Sequence, residues 1–259
     1  MDREKEQGKV FLVGAGPGDP ELMTVKAVRL LQTADVIIYD RLVSDAIMDM
    51  ASPKAEMIYA GKASNKHTIP QEEISRLLVT KAKEGKTVVR LKGGDLFVFG
   101  RGGEETLELK AAGVSFEVVP GITSATGVSS YAGIPLTHRG ISTSVTLVTG
   151  HAQKSDTHPD LNWEILSMPN QTLVFYMGLI TLPQITYQLV QHGLSEETPV
   201  AVIHKGTMPE QRTVVGKIKN IAQLVSQKEL SPPSLVIIGQ VVQLREQLKW
   251  FQESISIVP

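Results

Sequence analysis

Short apolar runs and amphipathic stretches alternate along the first half of the chain. Residues 10–13 (VFLV), 36–39 (VIIY), 57–59 (MIY), 87–91 (TVVRL) and 116–119 (FEVV) have the length and composition of strands. Between them, Leu22, Val25, Val28 and Leu31 recur at helical spacing. Ile74, Leu77, Leu78 and Ala82 form a second stripe, opened by Pro70 with Glu72 and Glu73 in its first turn and stopped by Gly85. Residues 106–112 read as a third helix, ended by Gly113. Strands separated by helices pair in parallel through βαβ units. Parallel strands end on one edge, and here those ends carry GAGPGD, DR, GK, KGGD and PG in turn. Glycine and polar residues therefore collect on one rim, the edge where open α/β sheets take ligands.

The second half has another texture. Strands are expected at residues 145–148, 173–176, 200–203 and 235–238, with helices over 185–190, 221–225 and 244–251. Residues 211–215 read as a strand turned back by Pro209, which makes this sheet mixed. Residues 153–160 are polar and weakly patterned, and no internal repeat is present. The pattern divides into a charged tail (1–8), an N-terminal α/β domain (9–122) and a C-terminal α/β domain (123–259). The tail lacks the apolar stretch of a secretion signal, and no apolar run reaches membrane-spanning length, so a cytoplasmic protein is expected.

Composition narrows the chemistry. The 259 residues are 42% hydrophobic and 20% charged, as in ordinary globular proteins, with a formal net charge of -1. That balance gives no global basic field for nucleic acid. With no cysteine, disulfides, thiolate nucleophiles and cysteine-ligated metals are excluded. The six histidines, His138 and His151 among them, form no metal-binding spacing. There is no G-x-S-x-G elbow and no P-loop.

The densest signal is residues 90–105, RLKGGDLFVFGRGGEE, directly after a strand. Glycine is costly inside regular structure, so such a run marks backbone that bends sharply or lies close to a ligand. Residues 14–19, GAGPGD, miss the dinucleotide spacing G-x-G-x-x-G, and Pro17 lacks an N–H to face a phosphate. A tight structural turn and a ligand loop both fit. Asp40 and Lys62 each close a strand; as isolated residues they are solvated charges, and together on one rim they form a candidate proton-transfer pair. Arg41, Lys62, Lys92, Arg101, Arg139, Lys205 and Arg212 lie at or near loops and suit a polyanion if they converge.

The ordered set of segments carries more than any one of them. Val13-Gly-Ala-Gly-Pro-Gly-Asp19, Tyr39-Asp-Arg-Leu-Val-Ser-Asp45, Pro70-Gln-Glu-Glu-Ile74, the 90–105 run, Val119-Pro-Gly-Ile-Thr-Ser124, Gly133-Ile-Pro-Leu-Thr-His-Arg139, Val148-Thr-Gly-His151 and Phe175-Tyr-Met-Gly178 follow in this order. Together they resemble the uroporphyrinogen-III C-methyltransferases of the tetrapyrrole methylase family, over nearly the whole chain. The resemblance implies two α/β domains with S-adenosylmethionine in the cleft between them, commonly as a homodimer, and no metal. It implies methylation of uroporphyrinogen III at C2 and C7, giving precorrin-2 by way of precorrin-1, for siroheme or cobalamin.

Carried across position by position, the resemblance implies a cofactor set of Pro17, Gly93, Gly94, Asp95, Val98, Thr123, Ser124, Met177 and Gly206. Asp95 is the implied acceptor for a ribose hydroxyl or the cofactor's amino group. Asp40 matches the proposed proton acceptor and Lys62 the proposed proton donor. Arg101 and Arg139 become anchors for substrate carboxylates. Leu96 stands where proline usually follows Gly-Gly-Asp, and Ser124 where alanine is common. Some family members also carry a dehydrogenase–ferrochelatase or synthase domain, for which these residues leave no room. Oxidation and metal insertion are therefore expected of other proteins. The rival readings are a methylase acting on a later precorrin or cobalt-precorrin, and a non-catalytic S-adenosylmethionine sensor. Glycine spacing disfavours a nicotinamide dehydrogenase.

Overall fold

A computed structural model describes residues 8–61, 70–150 and 161–253. The expectations for residues 1–7, Lys62, His151 and residues 153–160 lie outside those residues. The chain divides into two compact units, Met1–Thr123 and Ser124–Pro259.

The first unit runs β1 (Lys9–Gly14), α1 (Val25–Thr33), β2 (Val36–Tyr39), α2 (Asp45–Met48), β3 (Glu56–Tyr59), α3 (Gln71–Lys83), β4 (Thr87–Lys92), α4 (Gly102–Ala111) and β5 (Phe116–Val119). Its described strands form one parallel sheet in the order β3-β2-β4-β1-β5. Strand side chains alternate between faces. Val13, Ile37, Val89 and Leu91 pack with Ala27, Leu30 and Leu31 of α1 and Ile47 of α2. Val10, Leu12, Ile38 and Val88 pack on the other face with Ile74, Leu78 and Ala82 of α3 and Leu109 of α4. Both faces are covered, which is why these strands read as nearly continuous apolar runs.

The second unit runs α5 (Ser124–Tyr131), β6 (Ser144–Thr149), α6 (Trp163–Leu166), β7 (Gln171–Tyr176), α7 (Leu182–Gln191), β8 (Pro199–His204), β9 (Arg212–Lys217), α8 (Ile221–Gln227), β10 (Ser234–Ile238) and α9 (Arg245–Leu248). The sheet order is β6-β7-β10-β8-β9, with only the β6–β7 pair parallel among the described residues. The antiparallel β8–β9 pair is the expected turn-back after Pro209, and the sheet is mixed as the pattern implied.

Three local readings are corrected. Val25 opens α1 but is 87% exposed; of the expected stripe Val28 and Leu31 do pack on the core, together with Ala27 and Leu30. α4 begins at Gly102, inside the glycine run, rather than at residue 106. The helix expected over 244–251 is a short 3-10 stretch, Gln240–Leu244, followed by four residues of α9, after which Trp250 turns back to bond the Ser130 carbonyl.

Candidate functional site

The carboxyl rim of the first sheet is built from backbone lying against backbone. After β1 the chain crosses the end of β4: Gly16 and Gly94 exchange two hydrogen bonds, of 3.1 Å and 2.6 Å, and Ala15 N–H donates to the Lys92 carbonyl at 2.8 Å. A Cβ on Gly14 would stand 2.5 Å from Gly121 N, and one on Gly121 would stand 2.3 Å from Gly94 O. Three strand ends thus meet where no side chain fits. The loop after β2 joins them, since Leu42 Cβ lies 2.6 Å from where a Cβ of Gly93 would be.

Asp95 fastens this junction. Its Oδ1 accepts from Phe97 N–H at 2.8 Å and its Oδ2 from Gly121 N–H at 3.1 Å. Each oxygen keeps a lone pair, so the carboxylate can still accept from a bound molecule while bracing two loops. Leu96, the departure from the proline pattern, is fully buried in the core beside Leu109. Its carbonyl takes Gly102 N–H at 3.0 Å at the start of α4. Val98 is half-buried, while Phe97 and Phe99 are exposed at 60% and 42%. Pro17 is half-buried after Gly16.

Asp40 directly follows β2, with its side chain 23% exposed. Oδ1 accepts Leu42 N–H at 3.0 Å, and Oδ2 lies 4.0 Å from Arg90 Nη2. Arg90 is 2% exposed and Glu105 is not exposed at all. Glu105 Oε1 accepts from Gln71 Nε2 (2.8 Å), Arg90 Nε (3.1 Å) and Lys92 Nζ (3.3 Å). Its Oε2 has no hydrogen-bond partner. Lys92 is held below the usual lysine range, chiefly by burial and then by the neighbouring Arg90 charge.

Lys92 therefore does not join the rim cations that the sequence suggested. It is 7% exposed and faces Glu105, because it shares a strand face with Arg90, under α3 and α4. Arg41 and Arg139 are exposed. Arg101 is also exposed, with φ of 59°, and makes a two-pronged pair with Glu104 at 2.9 Å and 2.6 Å.

In the second unit the candidates gather round α5. Ser124 is its first residue, half-buried, and Ala125 N–H donates to the Tyr176 hydroxyl at 2.8 Å. Met177 follows with φ of 54° and 53% exposure. Gly206 lies against the same helix, where a Cβ would stand 2.4 Å from Val128 Cγ1. Thr123 is the last residue of the first unit and half-buried. Sequence reasoning missed the Glu105 cluster, although two cations on one face of a buried strand signal a buried acid. It also missed Gln211, which is fully buried behind the Gly206 loop.

Among the described residues no group of three or more His, Asp or Glu is placed to hold a metal, and no helix is long and apolar enough to cross a membrane.

The chain belongs to the tetrapyrrole (corrin/porphyrin) methylases: residues 9–222 match that family. It is 54% identical over 252 residues to the siroheme synthase of Thioalkalivibrio sulfidiphilus, covering 97% of this chain and 51% of the relative. The chain thus spans about half the length of the curated relatives it matches. A crystal structure of uroporphyrin-III C-methyltransferase from Thermus thermophilus, complexed with S-adenosylhomocysteine, superposes with a TM-score of 0.79 at 42% identity. The match covers 92% of this chain and 100% of that one. A cobalt precorrin-4 methyltransferase superposes with a TM-score of 0.81 at 28% identity, over 93% of this chain and 98% of that one.

Proposed function

We propose that the chain catalyses S-adenosylmethionine-dependent C-methylation of uroporphyrinogen III at C2 and C7, giving precorrin-2 by way of precorrin-1, for siroheme or cobalamin synthesis. The observation that carries this reading is the side-chain-free junction of Gly14, Gly94 and Gly121, next to a part-exposed carboxylate, in a tetrapyrrole methylase chain. Bare backbone lets a flat, polar cofactor lie close against the sheet end. Pro17, Gly93, Gly94, Asp95, Val98 and Thr123 of the first unit and Ser124, Met177 and Gly206 of the second form the proposed cofactor set.

The cofactor, when bound, supplies an electrophilic methyl group on a sulfonium, which leaves as a neutral thioether. The residues have to align the reacting carbon with that methyl and keep water out. Orientation of this kind lowers a barrier by roughly 7–11 kcal/mol in good cases. The braced Asp95 loop and the packed glycine junction supply the necessary rigidity. Asp40 then takes the proton that the methylated ring must lose: Leu42 N–H fixes its direction and the Arg90 charge lies behind it. Lys62 is the proposed proton donor. Arg101 and Arg139 anchor substrate carboxylates, Arg101 after exchanging its Glu104 partner. A homodimer in the cytoplasm completes the proposal.

Incubation with S-adenosylmethionine and uroporphyrinogen III, followed by mass measurement, tests it. Two added methyl groups are expected, and an unmodified ring overturns the reading. The similarity to a cobalt-precorrin enzyme keeps one second reading in view, in which later precorrins are methylated and uroporphyrinogen III is not. Asp40→Ala should keep S-adenosylhomocysteine affinity within about twofold while turnover falls by roughly 10²-fold or more, the lower end expected for a lost general base. Undiminished turnover removes Asp40 from the mechanism.

A further inference from the structure

The loop between β8 and β9 carries Gly206 between two non-glycine residues in the left-handed region, Lys205 (φ 45°) and Thr207 (φ 70°). Each such residue costs on the order of 1–3 kcal/mol and persists only where its surroundings over-determine it. Here they do. Lys205 N–H donates to the Pro233 carbonyl at 3.1 Å, and Val128 presses on Gly206. Thr207 N–H donates to Gln211 Oε1 at 2.8 Å.

Gln211 is fully buried, and its Nε2 donates to Glu253 Oε1 at 3.2 Å. A backbone N–H only donates and a carboxylate only accepts, so the two partners fix which way the Gln211 amide points. Glu253 is itself held by Thr213 N–H (2.9 Å) and by Arg245 Nη2 (3.0 Å). Arg245 Nη1 reaches the Ala132 carbonyl at 2.6 Å, just past α5. A polar chain thus runs from Ala132 through Arg245, Glu253 and Gln211 to the turn holding Gly206.

We propose that Gln211 and Glu253 are positioning residues for cofactor binding: they hold the 205–207 turn in its strained form, and so set S-adenosylmethionine affinity from the C-terminal segment. This rests on the reading above, in which Gly206 meets the cofactor. Gln211→Met keeps the volume and leaves Thr207 N–H without its acceptor. The loss of one well-made buried hydrogen bond should weaken S-adenosylhomocysteine binding roughly tenfold. KM for S-adenosylmethionine should rise alike, with kcat at saturation and KM for uroporphyrinogen III changed less than about twofold. Glu253→Ala should do the same more mildly, and Glu253→Gln, which keeps an acceptor, should recover most of the affinity.

Leu189→Ala, a cavity in the opposite core of the same unit, is the control for simple loss of stability. Calorimetric titration with S-adenosylhomocysteine decides between the outcomes. Native binding with unaltered affinity in Gln211→Met and Glu253→Ala overturns this inference alone, as does an equal loss in Leu189→Ala. Native protein that binds no S-adenosylhomocysteine overturns the functional reading and this inference with it. If Gln211→Met does not fold, the Glu253→Ala and Glu253→Gln pair carries the same decision.

Discussion

Glu105 has two cations and an amide on one oxygen and no hydrogen-bond partner on the other, inside a buried layer between β4 and the helices above it. Removing one partner of a buried ionic cluster costs roughly 3–5 kcal/mol, whereas replacing the whole cluster with apolar side chains is often neutral. Glu105→Met should lower unfolding free energy in urea by about that amount, and the triple change with Arg90→Met and Lys92→Met should recover most of it. His204 gives a pH test. It is 6% exposed, its Nδ1 lies 2.6 Å from the Ser231 carbonyl, and burial, with the Arg212 and Lys205 charges, lowers its pKa below 6.5. Between that lowered value and 6.5 the unfolded chain binds the extra proton, so stability falls as pH drops through this window. His204→Gln should flatten this part of a melting-temperature profile. Arg90 and Lys92 on one strand face hinted at a buried acid, but not that Glu105 would supply it, and His204 gave no such hint. An isolated histidine or glutamate in a sequence does not show what will be packed over it.

At the scale of elements, the strands were readable because both faces of each sheet are covered, leaving short apolar runs with little polar alternation. Helix α5 was not readable. Its buried residues are Ala125, Gly127, Val128 and Ser129, small side chains that let it lie close to the sheet but make no apolar stripe. α4 was read four residues late for a related reason: its first turn is glycine, the poorest helix former after proline. The junction of β1, β4 and β5 gives an element-level prediction. Gly121→Ala must displace the Gly94 carbonyl, part of the Gly16–Gly94 bridge. Cofactor affinity should fall by more than about tenfold, at or above the loss expected from one buried hydrogen bond. Gly113→Ala, with open space at its Cβ but a φ of 68°, should lose stability without losing affinity.

At the scale of the molecule, the ordered motifs and the parallel-then-mixed pattern led to the same family that residues 9–222 match. Strand ends singled out Asp40 and Lys62 as a candidate pair, but their separate roles and the cofactor positions came from resemblance, since strand ends reveal a rim but not the molecule upon it. The structure adds where each unit carries strained backbone. Outside glycine, the described residues with left-handed backbone are Phe99, Arg101, Asn170, Met177, Lys205, Thr207 and Glu229. Five of these, Phe99, Arg101, Met177, Lys205 and Thr207, sit in the loops assigned to cofactor and substrate.

That distribution sets a limit on engineering this protein for heat resistance. Glycine at any of those five positions would relax the backbone and raise the melting temperature, while deleting a side chain or freeing a turn that the proposed chemistry requires. Selection for heat resistance alone should therefore enrich substitutions at Asn170 and Glu229 first, where relief of strain carries no catalytic penalty.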